Sequence, residues 1–251
     1  MELSHVKAVI TGAASGLGEA CARYFAANGA QVTLLDLDET GGQAVADEIG
    51  GHFVKTDVSD ETSAAAAIEF ASAKMGGINA CLNCAGIVVG AKTVGRDGPH
   101  PLGAFSRTVD INLVGSFNVA RLAAAEMAKQ TADENNNRGV IVNTASIAAF
   151  DGQKGQAAYA ASKGGIVGMT LPMARDLSGQ GIRVMTIAPG IFLTPMMAGM
   201  SEEIREGLAA NVPHPKRLGD PQEFARTAAF IVGMPYLNGE VIRLDGALRM
   251  T

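Results

Sequence analysis

The chain has 251 residues, of which 47% are hydrophobic and 18% charged, and its formal net charge is -5. This composition is too apolar for a disordered chain, and the length suffices for one large α/β domain. The negative charge and the lack of a lysine or arginine run argue against a nucleic-acid partner, and no apolar stretch is long enough to span a bilayer.

Short β-branched runs alternate with longer helical patterns along the whole chain. Strands are predicted at Val6–Ile10, Gln31–Leu35, His52–Thr56, Ala80–Asn83, Gly139–Asn143, Ile182–Ala188 and Glu240–Leu244. Helices are predicted at Leu17–Asn28, Glu39–Ile49, Glu61–Met75, Leu102–Lys129, Ala157–Leu177 and Pro221–Val232. The alternation predicts a single α/β domain over residues 1–251. Its core would be a Rossmann-type, doubly wound, seven-stranded parallel sheet with helices on both faces.

Three segments fall outside this pattern. Residues 92–101 and 131–138 are polar and are predicted to be loop insertions, whereas residues 191–218 are irregular and rich in methionine. The methionines could fill the core or form an adaptable apolar lid over a substrate. The position of the segment after Pro189-Gly190 favours the lid, whose methionines are Met196, Met197 and Met200.

A glycine-rich turn, Thr11-Gly12-Ala13-Ala14-Ser15-Gly16-Leu17-Gly18, follows the first predicted strand and opens a helix. Glycines at positions 12, 16 and 18 permit a tight turn and let the backbone approach a pyrophosphate. The helix N-terminus then offers free N–H groups and a positive dipole end. A purely structural turn is the alternative interpretation.

Two aspartates end the second and third strands. Asp36 follows Gly18 by 18 residues, the spacing at which a carboxylate accepts hydrogen bonds from an adenosine ribose. It would also repel a 2′-phosphate, and Leu37 and Asp38 offer no cation, so the sequence favours NAD over NADP. Asp57 could meet the adenine edge or serve instead as a helix N-cap.

Ser146, Tyr159 and Lys163 suggest proton chemistry. Tyr159 and Lys163 are four residues apart, so they share one face of a helix, and Ser146 lies 13 residues before Tyr159. Alcohol oxidation by hydride transfer needs a base, but a free tyrosine with a pKa of about 10 ionises too weakly near neutral pH. A neighbouring ammonium and a positive nicotinamide ring would lower that pKa. A surface Tyr/Lys pair is the alternative.

Together these motifs resemble the short-chain dehydrogenase/reductase family over nearly the whole chain. The matching motifs are Thr11–Gly18, Asn83-Cys84-Ala85-Gly86, Asn112, Ser146, Tyr159–Lys163 and Pro189-Gly190. Longer stretches resemble the branch that acts on 3-hydroxyacyl-CoA and also accepts hydroxysteroids; these are residues 155–159, 163–172, 182–189 and 237–246.

The resemblance implies a catalytic set of Ser146, Tyr159, Lys163 and Asn112. Tyr159 would be the base, Ser146 would orient the substrate oxygen, and Asn112 would hold a water that relays protons to Lys163. Substrate contacts would come from Ser146, Gln156 and Tyr159.

The resemblance also extends the cofactor site beyond the glycine turn and the two aspartates. The added residues are Ser15, Leu17, Val58, Cys84, Ala85, Gly86, Tyr159, Lys163, Pro189, Gly190, Phe192 and Thr194. Ala85 and Gly86 would let a ribose pack on the fourth strand, and Thr194 would bond the nicotinamide carboxamide. Cys84 stands where the common family motif has a second asparagine.

Cys81 and Cys84 match a C-x-x-C pattern, but no second pair accompanies them and no histidine has ligand spacing, so no metal is predicted. Cys81 falls inside a predicted central strand, which argues against redox chemistry of that pair. The better interpretation is one small buried residue and one residue of the cofactor wall.

The sequence therefore predicts an NAD-dependent oxidoreductase that interconverts a secondary alcohol and a ketone. The expected substrate is a 3-hydroxyacyl-CoA, with a hydroxysteroid or another apolar alcohol as the alternative. A non-catalytic NAD-binding scaffold subunit is the alternative of another class. The resemblance implies a homotetramer in fatty acid metabolism. The three cysteines and the lack of room for a signal peptide favour a cytoplasmic location, or the mitochondrial matrix in a eukaryote.

Overall fold

Strands alternate with helices in the computed structural model of the chain, which describes residues 1–250 without the side chains of residues 196 and 198. The strands are β1 (Lys7–Thr11), β2 (Gln31–Asp36), β3 (His52–Lys55), β4 (Ala80–Asn83), β5 (Val94–Gly95), β6 (Gly98–Pro99), β7 (Gly139–Thr144), β8 (Ile182–Pro189) and β9 (Val241–Leu244). The helices are α1 (Gly16–Ala27), α2 (Glu39–Ile49), α3 (Glu61–Met75), α4 (Leu102–Val109), α5 (Gly115–Ala128), α6 (Ala148–Asp151), α7 (Ala157–Asp176), α8 (Pro195–Ala198), α9 (Glu202–Ala210) and α10 (Pro221–Gly233). None of these described helices is long and apolar enough to cross a membrane.

Seven strands form one parallel sheet in the order β3-β2-β1-β4-β7-β8-β9. The chain moves outward from β1 to β3, then crosses to the other side of β1 and continues from β4 to β9. This reversal between β1 and β4 is where doubly wound sheets bind ligands. The sheet confirms the predicted Rossmann-type fold.

Both faces of the sheet are buried, which explains the continuously apolar strands. Ile10 of β1 belongs to a core that includes Phe25 of α1 and Phe224 of α10. Its neighbour Val9 points to the opposite face, into a core shared with Ile141 of β7 and helices α3 and α5. Successive residues of one strand therefore enter different cores, as the two-residue period of a strand requires.

The predicted continuous helix over residues 102–129 is wrong in one respect. Helix α4 ends at Val109, a π-helical turn follows over Asp110–Val114, and α5 begins at Gly115. A π turn carries one more residue per hydrogen-bonded turn, and such turns often occur at functional sites. Here it carries Asn112, whose side chain is completely buried.

The segment 191–218 contains more structure than its irregular pattern predicts. Helices α8 and α9 lie within it. Helix α9 buries none of its residues, and Ile204 remains 53% exposed. The side chain of Met196, predicted as part of the lid, lies outside the described residues. The segment 92–101 is a loop apart from the short β5–β6 hairpin.

Candidate active site

A cavity of about 700 Å³ opens at the carboxyl edge of the sheet, where β1 and β4 lie side by side. Twelve of the residues predicted for the cofactor line it: Gly12, Ser15, Gly16, Leu17, Gly18, Asp36, Asp57, Val58, Cys84, Ala85, Gly86 and Thr194. The loops after the first four strands of the sheet thus meet in one place. Parallel strands present all their carboxyl ends at the same edge, and this brings together residues that are far apart in sequence.

The glycine turn forms the floor of this cavity by close backbone contact. Gly12 has a φ of +64°, which favours glycine, and a Cβ on it would lie 2.8 Å from the backbone of Ala85. A Cβ on Gly18 would lie 2.2 Å from the carbonyl oxygen of Gly12. The side chain of Ser15, the N-cap residue of α1, makes no capping hydrogen bond to the first turn of that helix among the described residues. The turn therefore leaves a narrow cradle beside helical N–H groups, which fits a pyrophosphate.

Asp36 stands on the wall of the cavity in a fixed orientation. Its Oδ2 atom accepts a hydrogen bond from the N–H of Ala14 at 3.0 Å, and its Oδ1 atom accepts one from the N–H of Asp38 at 3.0 Å. Each carboxylate oxygen has further lone pairs, so Asp36 can still accept hydroxyl groups of a ribose. The adjacent Leu37 is 57% exposed and brings no charge.

Asp57 also lines the cavity, and it does not cap the following helix. Its Oδ1 atom accepts hydrogen bonds from the N–H and the hydroxyl of Ser59, at 2.9 and 2.6 Å. The N-cap of α3 is Asp60, which accepts from the N–H of Ser63 at 2.6 Å. The alternative interpretation of Asp57 as an N-cap is therefore wrong, because Asp60 occupies that position.

Ser146, Tyr159 and Lys163 come together beside the end of β7. The Ser146 side chain lies close enough to the Tyr159 phenol to lower its pKa, and the Ser146 hydroxyl oxygen accepts from the N–H of Ala148 at 3.1 Å. Lys163 Nζ lies 5.8 Å from the centre of the Tyr159 ring and donates to the carbonyl oxygen of Thr144 at 2.7 Å. The helical spacing of Tyr159 and Lys163 on α7 turns both side chains toward the strand end.

Burial sets the electrostatics of this group. It raises the pKa of Tyr159, and the neighbouring Ser146 side chain opposes that shift. Burial also lowers the pKa of Lys163 to about 8, against a smaller opposing effect of Cys84. From the sequence, a lowered pKa is expected for Tyr159. In the protein itself the pKa is higher, because removal from water outweighs the effect of Ser146.

Asn112 is held in the π turn by a dense set of hydrogen bonds. Its Oδ1 atom accepts from the N–H of Ile87 at 2.8 Å, and its Nδ2 atom donates to the carbonyl of Ile87 at 2.9 Å and to the hydroxyl of Ser162 at 3.0 Å. A Cβ on Gly86 would lie 3.2 Å from Asn112 Oδ1 and 3.5 Å from Lys163 Nζ. The absence of a side chain at Gly86 thus leaves room for both the Asn112 amide and the Lys163 ammonium.

The other residues predicted for the cofactor do not line the 700 Å³ cavity: Tyr159, Lys163, Pro189, Gly190 and Phe192. Phe192 is buried and makes an edge contact with Phe224, with ring centres 6.3 Å apart, so its side chain belongs to the core. Pro189 ends β8, and a Cβ on Gly190 would lie 2.9 Å from the Cα atom of Asp245. This close packing fixes the backbone that leads to Thr194, which does line the cavity.

Gln156 precedes α7, and its Oε1 atom accepts from the N–H of Gln153 at 3.0 Å. Other cavity residues were not predicted from the sequence. Thr56 and Ser59 follow β3 and could have been found by their position at a strand end. Arg107 enters from α4, and no local motif indicates its role. The described residues hold no group of three or more His, Cys, Asp or Glu side chains that could bind a metal.

The arrangement suits two tasks. The glycine cradle and Asp36 fit the phosphates and the ribose of a dinucleotide. The neighbouring side chains of Ser146 and Tyr159, with the buried Lys163 ammonium nearby, fit the removal of a proton from an alcohol.

The chain resembles proteins of known activity over nearly its full length. A family profile described as enoyl-(acyl carrier protein) reductase matches residues 12–248. The human 3-hydroxyacyl-CoA dehydrogenase type-2 is 53% identical over 97% of this chain and 95% of its own length. The Drosophila melanogaster protein of the same name is 50% identical over 99% of each chain. A crystal structure of 3-hydroxyacyl-CoA dehydrogenase type-2 from Mycobacterium avium has a TM-score of 0.93 and 48% identity, and the match covers 97% of this chain and 96% of that one.

Proposed function

Because the chain belongs to the short-chain dehydrogenase/reductase family and is therefore an oxidoreductase, we propose that it interconverts the secondary alcohol of a 3-hydroxyacyl-CoA and the corresponding ketone with NAD as its cofactor. The observation that carries this proposal is the placement of Tyr159 beside Ser146 and the buried Lys163, whose Nζ lies 5.8 Å from the centre of the Tyr159 ring. A protein that only bound the cofactor would have no need for such a group.

The cofactor site would consist of the glycine turn, Asp36 and the residues after β4. Gly12 and Gly18 would admit the pyrophosphate, and the Asp36 carboxylate would accept the ribose hydroxyls. The same carboxylate disfavours a 2′-phosphate by charge repulsion, which supports NAD over NADP. When bound, oxidised NAD would accept a hydride and would bring a positive charge to the nicotinamide end of the cavity.

In this mechanism the Tyr159 phenolate takes the proton of the substrate hydroxyl, while the Ser146 hydroxyl holds the substrate oxygen. Lys163 supplies a positive charge that favours the phenolate over the phenol. Asn112, fixed by Ile87 and Ser162, would hold a water on the proton path to Lys163. The high pKa that burial gives Tyr159 makes these positive charges necessary.

The substrate assignment rests on the relatives and on the segment 191–218, which we propose as the substrate lid. The relatives are named as 3-hydroxyacyl-CoA dehydrogenases. A second cavity of about 730 Å³ lies along the segment, where Leu193 is joined by Arg205, Lys216 and Arg226. Cations beside an apolar residue suit a CoA thioester, which combines phosphates with an acyl chain. Carboxylates also line this cavity, and Arg217 is already paired with Glu223.

We also propose that the enzyme is a homotetramer of fatty acid metabolism in the cytoplasm, or in the mitochondrial matrix of a eukaryote. Large apolar side chains are exposed on two helices that pack on the same face of the sheet, Phe117 on α5 and Leu171 on α7. A further cavity between these helices has a mostly apolar lining that includes Phe117 and Met173. Burial of such a surface against a second copy would remove it from water.

A dehydrogenase assay tests the proposed function. The purified protein is given NAD or NADP with a panel of 3-hydroxyacyl-CoA thioesters, hydroxysteroids and simple secondary alcohols, and the reduced cofactor is followed by absorbance. We expect turnover with NAD and the acyl-CoA thioesters. Turnover restricted to hydroxysteroids would contradict the substrate assignment. Binding of NAD without turnover of any alcohol would identify a scaffold instead.

A further inference from the structure

Cys84 has a partner that its sequence neighbourhood does not reveal. Cys21 lies on α1 and is completely buried, and Cys84 packs against the same core cluster from the end of β4. The two thiols lie close enough that each shifts the pKa of the other, raising that of Cys21 and lowering that of Cys84. The C-x-x-C pattern points to Cys81 instead, but Cys81 of β4 packs into the core on the opposite face of the sheet from the one that holds Cys21.

Cys84 also stands at a functionally sensitive place. It is the only one of the three cysteines of the sequence that retains exposed surface, and it lines the 700 Å³ cavity. Its N–H donates to the Thr11 hydroxyl at 3.0 Å, directly before the glycine turn. The Thr144 hydroxyl donates to its sulfur at 3.6 Å, and Thr144 also holds Lys163 through its carbonyl.

The surroundings favour the thiolate at Cys84 and the thiol at Cys21. The neighbouring Cys21 thiol lowers the pKa of Cys84, and the Thr144 hydroxyl and the Lys163 charge act in the same direction, against the effect of burial. Burial raises the pKa of Cys21 well above its ordinary value and also raises that of Cys81. Since the thiolate is the reactive form, Cys84 is the one set up to react.

We propose that Cys84 is a peroxide-sensitive thiol in the cofactor cavity and that Cys21 resolves its oxidised form as a disulfide. The Cys84 thiolate attacks hydrogen peroxide, forming an S–O bond as the O–O bond breaks, which gives a sulfenic acid and hydroxide. The Cys21 thiol then attacks that sulfur. An S–S bond forms, the S–O bond breaks, and water leaves with the thiol proton. Overall, two thiols and one peroxide give one disulfide and two waters.

The disulfide would distort the dinucleotide end of the cavity. It would tie the loop after β4 to α1 directly behind the glycine turn and would remove the sulfur from Thr144 and Lys163. We expect lower affinity for NAD, and we expect bound NAD to protect Cys84. These two consequences rest on the proposed function, whereas formation of the disulfide does not.

The test treats the full chain with hydrogen peroxide and maps its cysteines by mass spectrometry of proteolytic peptides. The expected result is a peptide that joins Cys21 to Cys84, lost on treatment with dithiothreitol, together with a reversible loss of most NAD binding. In the Cys21→Ala variant, the sulfenic acid on Cys84 should be trapped by dimedone and no disulfide should form. Cys81→Ala is the matched control, since it removes a buried cysteine but should leave the disulfide unchanged.

Three results would overturn the proposal. The first is oxidation of Cys21 or Cys81 with Cys84 intact, the second is a Cys84 sulfenic acid in the parent that never joins Cys21, and the third is the same disulfide in a protein that keeps full NAD affinity. If the disulfide forms but NAD does not bind even the reduced protein, the proposed cofactor fails while the thiol chemistry stands.

Discussion

The dinucleotide end of the active site is formed mainly by backbone, whereas the catalytic end is formed by side chains. At the dinucleotide end, shape is set by backbone, since added methyl groups on Gly12 and Gly18 would collide with main-chain atoms. At the catalytic end, function is set by side chains that are buried and hydrogen-bonded, such as Asn112 and Lys163. Added side-chain volume should therefore disrupt cofactor binding at the dinucleotide end. A changed charge or a lost hydrogen bond should disrupt turnover at the catalytic end.

The largest effect on cofactor binding is expected from Gly18→Ala. The new Cβ would lie 2.2 Å from the Gly12 carbonyl oxygen, so the turn has to move apart and the pyrophosphate cradle is lost. We expect NAD affinity to fall by at least about 100-fold and stability to fall by about 1–3 kcal/mol. Calorimetric titration with NAD and chemical denaturation measure the two effects.

Gly207→Ala is the matched control for that change. Gly207 lies in helix α9, and a Cβ on it would meet no atom within 4 Å. The same substitution should there leave NAD affinity unchanged and add about 0.5–1 kcal/mol of stability. Equal loss of affinity in both variants would contradict the role given to the turn.

The second effect concerns cofactor preference. Replacing Asp36 with Ala and Leu37 with Arg removes a carboxylate and adds a cation at the ribose position. We expect preference to move toward NADP by about 10–100-fold, the worth of one or two charge-assisted hydrogen bonds. The ratio of kcat/KM for the two cofactors measures it. A parent enzyme that already uses NADP as well as NAD would refute the argument from Asp36.

The third effect is a gain in stability from Lys163→Met. Below pH 8 the folded protein carries a charged Lys163 at the cost of burial, because its pKa is lowered to about 8 while the unfolded chain keeps the ordinary value. As pH rises above 8 the folded form releases its proton first, so that cost disappears. We expect about 1–3 kcal/mol of stabilisation at pH 7 that shrinks toward pH 10.

Denaturation curves across this pH range, compared with the parent, provide the measurement. The exposed Lys154→Met variant controls for the loss of a lysine and should show a flat difference. A Lys163→Met variant that is less stable than the parent at pH 7 would show that the bond to Thr144 outweighs the cost of burial.

The smallest effect is expected from Asp151→Asn. Arg243 Nη2 lies 2.6 Å from Asp151 Oδ2, which ties β9 to the short helix α6 next to Ser146. We expect a loss of about 1 kcal/mol and a few-fold decrease in kcat with unchanged NAD affinity. Glu48→Gln breaks a more exposed pair with Arg23 and should leave kcat unchanged, so an equal loss in both would contradict a positioning role for Asp151.

The same contrast explains what the sequence could predict. The seven strands, the glycine turn and Asp36 were predicted, because local spacing and the two-residue strand period encode them. Asp57 as a cavity residue followed from its place at a strand end, but Asp60 as the helix cap did not. Arg107 was missed because it reaches the cavity through the packing of α4 rather than through a motif.

The residues of the catalytic end were predicted from the sequence, but the backbone that holds them and their pKa shifts were not. Resemblance supplied Asn112, but the π turn that holds it leaves no pattern in the apolar residues. The raised pKa of Tyr159 depends on how completely the fold encloses it, which spacing cannot tell. Phe192 is expected near the cofactor, and its ring packs against Phe224 of α10, a contact that the sequence pattern does not indicate.

The most direct test of the account is a paired measurement on Tyr159→Phe with saturating NAD. The substitution keeps the ring and removes the group that takes the proton, so the dissociation constant for NAD should stay within a few-fold of the parent. Turnover should fall by about 10²–10⁴-fold, the usual cost of losing a general base. Turnover within a few-fold of the parent would contradict the assignment of Tyr159 and, with it, the division of the site into a binding end and a catalytic end.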